Sequence, residues 1–244
     1  MFMMPGRVIR CAGAALGMFV AFAGCDRQTV VAAALPYEIV TQERPESHEA
    51  YMRVFRLAYD MCAHVRAIQN LPPPPPLVTL PADFVINRST YLSSGRGYLI
   101  RHEDFGVDLN ETDCKSSIGS VMTETVVRGG QVYAQRREAD GHTDVEEPMP
   151  LSQASMDGAG FTEKRTVGGI AMRCAPVTAR TDIALETCVG DEGTGVLLDG
   201  LRYPIILHAR GIVPVMNVVV VTDPVSVQIG KPVPEERIAL SRAK

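Results

Sequence analysis

The chain has 244 residues, 24 basic and 28 acidic, for a net charge of −4; 46% of its residues are hydrophobic, 6% are aromatic and none is tryptophan. Residues 1–25 carry Arg7 and Arg10 and no acid, so without them the net charge falls to −6. An acidic chain with no basic stripe argues against nucleic acid as a partner, and the scarcity of rings argues against a groove that clamps sugars or peptides by stacking.

The first element is an apolar run of 14 residues, 11–24 (CAGAALGMFVAFAG), behind a short basic segment. A bilayer-spanning helix needs about 20 apolar residues, so the run has the length of a secretory signal rather than of a span. It stops at Cys25 and turns polar at once with Asp26, Arg27 and Gln28. Phe22, Ala23 and Gly24 before the cysteine let a protease close on extended backbone. The stretch FAGC resembles the lipobox of bacterial lipoproteins. That resemblance covers residues 1–25 only. It implies that residues 1–24 are a signal peptide and that Cys25 is lipidated and becomes the new N-terminus. The body would then face the periplasm from a membrane of the cell envelope. Asp26 after the cysteine implies retention in the inner membrane. Two other readings stand beside this one. Cleavage at Ala32-Ala33-Ala34 would free a soluble protein, and an uncleaved run would be a short membrane helix. Acyl chains suffice as an anchor when two or more signals combine, since each buried CH₂ contributes about 0.8 kcal/mol.

Residues 25–44 are small and polar and are expected to be a tether between lipid and domain. Residues 45–70 are the best helix of the chain. Tyr51, Phe55, Ala58, Cys62 and Val65 share one face, and Val54, Ala58, Met61, Val65 and Ile68 repeat the same spacing, the signature of a buried stripe. Glu46 and Glu49 suit the helix start and Arg66 its end, and Pro72 closes it. Five prolines, 72–76, form an extended polyproline II spacer of about 3.1 Å per residue.

From residue 83 to residue 230 the chain reads as β-sheet. Residues 120–138 form a hairpin turned at Gly129-Gly130, a pair that supplies the positive φ of two-residue loops. A second hairpin pairs 165–175 with 182–189, and a third turns at Gly190–Gly195. The run Val218–Val221 is apolar on both faces, as in a central covered strand, and the helix is the element available to cover it. Residues 139–160 lack a period and are expected to be a long loop, and 231–244 a mobile tail. The expected fold is α+β: one amphipathic helix followed by a curved, mostly antiparallel sheet in a single domain, 45–230. This element order is similar to the half-barrel periplasmic carriers of the lipoprotein-sorting type, a similarity that implies a curved sheet around a hydrophobic ligand.

Of six cysteines, Cys11 leaves with the signal and Cys25 is taken by lipid. Cys62, Cys114, Cys174 and Cys188 remain, and an even number in an oxidising compartment reads as two disulfides. Of the three pairings, Cys62–Cys114 with Cys174–Cys188 is favoured, because the second pair can sit on adjacent strands of one hairpin. A four-thiolate zinc site usually brings cysteines in close pairs, whereas the nearest pair here is 14 residues apart.

Catalytic motifs are sparse. GDEGTG (190–195) has the wrong spacing for a phosphate loop and precedes a strand. No G-x-S-x-G elbow occurs, and Ser241-Arg242-Ala243-Lys244 matches Ser-x-x-Lys only at the chain end. The acidic run 102–113 (HEDFGVDLNETD) reads as a solvated loop, with calcium ligation as the alternative. Asp140, His142 and Asp144 sit in the expected long loop. His48, His64 and His208 have no partner nearby in sequence, and with Cys62 oxidised, His64 has no thiolate to pair with. No cofactor or metal is expected. The expectation is an envelope lipoprotein without catalysis, binding a partner protein or an apolar ligand on its curved sheet. The alternatives are a structural component of an envelope complex and, third, a hydrolase without a recognisable motif.

Overall fold

The computed structural model describes residues 35–152, 160–179, 181–196 and 202–241. In chain order these form β1 (Tyr37–Pro45), α1 (His48–Ile68), β2 (Asn87–Ser93), β3 (Tyr98–Leu109), β4 (Ser116–Arg128), β5 (Gln131–Arg137), β6 (Thr143–Val145), β7 (Met149–Pro150), β8 (Glu163–Val167), β9 (Ile170–Cys174), β10 (Ala184–Val196), β11 (Arg202–Val213) and β12 (Val218–Ile229). The strands make one open antiparallel sheet in the order β6-β5-β4-β3-β2-β1-β12-β11-β10-β9-β8, with β7 also on β5. A meander thus runs outward on each side of β1, and β12 closes back on β1.

β1 is the first departure from expectation. Residues 37–44, a tether by sequence, form a central strand paired with both β2 and β12. Tyr37, Ile39 and Thr41 are buried and alternate with half-buried Glu38, Val40 and Gln42. That is the period of two of a strand, here written with enough polar residues to look like linker.

The register defines one face of the sheet. Tyr37, Ser93, Tyr98, Val127 and Val132 lie in one row across β1 to β5, and Ile39, Tyr91, Ile100, Thr125 and Ala134 lie in the next. Tyr203 of β11 bonds to Tyr91 of β2 across the two strands between them, so the sheet is rolled and this face is concave. Its main cluster joins Tyr37, Ile39, Ile100 and Val132 to Met172, Ile205 and Leu207 from the opposite half of the sheet.

Other expectations divide. The Gly129-Gly130 hairpin forms as β4 and β5, with φ of 59° and 76° at the two glycines. Cys62 is bonded to Cys114, and Cys174 to Cys188; the second pair lies directly across β9 and β10. Residues 165–175 are not one strand but β8, a turn at Gly168-Gly169, and β9. The expected turn at Gly190–Gly195 is the interior of β10, whose register against β11 shifts between Val189 and Thr194. Glycines in a strand mark such irregularities as well as turns. The expected loop 139–160 contains β6 and β7. Residues 231–241, read as part of a mobile tail, lie on the convex face, where Val233 and Ile238 pack on Leu92, Leu99 and Val126.

Candidate functional site

α1 starts at Ser47, whose Oγ accepts from the amide of Ala50 at 3.1 Å, satisfying one of the orphan donors of a helix start. Tyr51 is its only buried residue and packs with Phe84, Val107 of β3 and Val218 of β12. Phe55 extends this contact. Beyond Phe55 the helix is held by a clamp. Cys62 is bonded to Cys114 in the β3–β4 connection. Arg66 donates to the carbonyl of Thr112 at 2.9 Å and to that of Pro72 at 3.2 Å. The Tyr59 hydroxyl donates to the carbonyl of Pro75 at 2.8 Å. Asn70, with φ of 54°, turns the chain back, so the prolines run along the helix as a strut, a more specific part than a free spacer.

The two repeats in the helix sequence, which share Ala58 and Val65, are therefore not both buried, and Leu57 joins the exposed side. Tyr51, Phe55 and Cys62 face the body. Val54, Leu57, Met61, Val65 and Ile68 face outward with 38%, 65%, 64%, 52% and 68% of their surface exposed. At 3.6 residues per turn these five fall within an arc of about 80°. Leu71 prolongs the apolar surface at the helix end. A contiguous apolar strip on a disulfide-braced helix is the kind of surface that marks an interaction site.

The concave face offers a second, polar site. Toward α1 its rows change character: Thr41, Ser89, His102 and Thr123 form one row, and Glu43, Asn87 and Asp104 the next. The Ser89 hydroxyl lies 2.6 Å from Asn87 Oδ1 and 2.8 Å from His102 Nδ1. Burial holds the His102 imidazole below its ordinary pKa, against the pull of Asp104. Asp104 accepts from Asn87 Nδ2 at 2.7 Å. Burial pushes the Glu43 carboxyl up; the Thr222 hydroxyl opposes this and the Asp104 charge adds to it. A hollow of about 190 Å³ opens here between Glu43, Thr222, Ala209 and Thr187. Ser89, Asn87, His102 and Asp104 thus form one hydrogen-bonded chain across β2 and β3.

His102 and Asp104, read as part of a loop, project from β3, while Glu111 and Asp113 lie in its connection to β4. His142 meets Asp144 at 3.0 Å in an exposed pair. Among the described residues no group of three or more metal-ligating side chains is assembled. His208 gains partners that only the sheet supplies: Asp223 at 3.0 Å and Glu186 at 3.7 Å. Arg165 pairs with the same Glu186, and Arg44 with Asp223 at 3.0 Å. No helix among the described residues is long and apolar enough to cross a membrane. Cys25 and Asp26 lie outside the described residues, as do the three residues after Ser241. No protein-family model, curated protein or solved structure matches this chain.

Proposed function

We propose that this chain is a lipid-anchored component of the bacterial cell envelope that works by docking another protein rather than by catalysis. The observation that carries the reading is the outward strip of α1, from Val54 to Ile68, on a helix braced by Cys62–Cys114. A disulfide brace fits an oxidising compartment, which agrees with the lipobox-like FAGC and an anchor at Cys25. The apolar end of the concave face is occupied by the protein's own side chains, which favours docking of a partner over carriage of an apolar ligand. Leu35 lies just before the start of β1 and α1 follows its end. A strand of nine residues spans about 30 Å, so a body tethered ahead of Leu35 presents α1 at its far end.

Two measurements test this. Cys25→Ser should move the protein from the detergent phase to the aqueous phase, with Asp26 favouring recovery of the unsubstituted protein in the inner membrane. Photo-crosslinkers at positions 57, 61 and 68 should each give an intermolecular adduct in intact envelopes, with none at exposed Val215. Unchanged partitioning would sink the anchor, and absence of adducts would sink the docking surface.

A further inference from the structure

We infer that the occupant of the α1 strip is a second copy of this chain, laid antiparallel about a two-fold axis at Met61. The inference rests on the docking reading above and names the partner. It comes from spacing. Val54, Leu57, Met61, Val65 and Ile68 stand at intervals of 3, 4, 4 and 3 residues, which read the same in both directions. In a two-fold interface residue i meets j and j meets i. On antiparallel helices centred at Met61, Val54 meets Ile68 of the second copy, Leu57 meets Val65, and Met61 meets its own equivalent. Each of these five side chains then finds an apolar side chain opposite. A different protein would need a helix or groove of the same pitch and length; this chain already carries one.

Complete covering of the five exposed side chains would remove roughly 1,000 Å² from water over both copies, the lower limit for a specific interface. The helix is also suited to the task. Its inner face is fixed by Tyr51, the disulfide and the Arg66 and Tyr59 bonds to the proline strut, so little order is lost on docking. Helices packed side by side lie about 8–10 Å apart, a distance that small Ala58, beside the strip, does not obstruct.

The test uses the full chain in membranes. With a photo-crosslinking residue at position 61, the expected adduct has twice the chain mass and joins 61 to 61. With the crosslinker at 57, the adduct joins 57 to 65. Leu57→Glu and Val65→Lys are then compared. Each alone should lower the double-mass adduct at least tenfold, because each buries a charge against an apolar side chain. Co-expressed with different tags, the two variants should restore a mixed adduct, because Glu at 57 of one copy faces Lys at 65 of the other. Both positions are exposed in the single chain, so thermal unfolding of each variant reports whether the fold is intact. An adduct to a different protein, or no rescue in the mixed pair, would overturn the second copy and leave docking standing, whereas links found only within one chain would overturn both. No adduct from 57, 61 or 68 would overturn both.

Discussion

Glu124 is the only charged side chain among the described residues with no solvent exposure. Four hydrogen bonds meet its two oxygens: from Arg101 at 2.7 Å, Gln135 at 2.6 Å, and the amide and hydroxyl of Ser241 at 2.8 and 2.7 Å. Burial alone pushes its carboxyl up. The bonds from Ser241, Arg101 and Gln135 outweigh that and hold it below the ordinary carboxylate range. Its folded pKa therefore lies under the unfolded value, so the stabilisation is full above the unfolded pKa of about 4.3 and is lost as pH falls through the folded one. Glu124→Gln should cost about 2–4 kcal/mol at pH 7 by urea unfolding, because Arg101 loses its buried partner. The gap to the unsubstituted protein should close as pH is lowered below about 4. A gap of equal size at pH 7 and pH 3 would show that the charge is not the source. The same residue explains why the tail packs. Ser241 is a capping partner for a buried carboxylate, a role that needs β4 and β5 in place and leaves no trace in a polar sequence read locally.

At the scale of the element, α1 is a helix whose stability comes from its ends and its brace. Tyr51 anchors one end, and Cys62–Cys114 closes a separation of 52 residues near the other. In the chain-entropy model that closure is worth about 4 kcal/mol, against about 3 kcal/mol for a loop the size of Cys174–Cys188. Replacing Cys62 and Cys114 with alanine should thus cost more than replacing Cys174 and Cys188. Amide exchange from Cys62 to Ile68 should speed up while the β3–β4 ladder stays protected. Equal protection in both elements would mean that the disulfide does not hold the helix. The sequence shows the helix, its proline stop and both cysteine pairs, because each is local or arithmetical. It also shows two apolar repeats on α1. Which one faces the body is decided by Phe84, Val107 and Val218, far apart in the chain, so periodicity alone makes both look buried. β1 is hidden for the converse reason: its alternation of Tyr37, Ile39 and Thr41 is present, but Glu38 within it and Gln42, Glu43 and Arg44 after it read as linker. The Ser89–His102 and His208–Asp223 contacts depend on register and have no signal in the chain.

At the scale of the molecule, the sheet depends on one strand. β1 pairs with β2 on one side and with β12 on the other, so the meander β2–β7 and the meander β8–β12 meet through it. Tyr37 lies opposite Ile229, a contact between residues 192 positions apart, and long-range pairing of this kind makes folding slow. The halves also share a core. Ile39 has no exposure and belongs to the cluster that contains Val132 from one half and Leu207 from the other. A two-domain reading would let each meander melt by itself; a shared core forbids that. Ile39→Ala should cost about 2–5 kcal/mol and should shift the whole transition. The probes are at hand, because the chain has seven tyrosines and no tryptophan. Tyr37, Tyr91 and Tyr98 report the concave core, while far-UV circular dichroism reports the sheet as a whole. Coincident urea midpoints for both signals, moving together in the variant, are the expected result. If Ile39→Ala splits them, with tyrosine emission changing before the sheet signal, the two meanders fold independently and β1 joins them without unifying them.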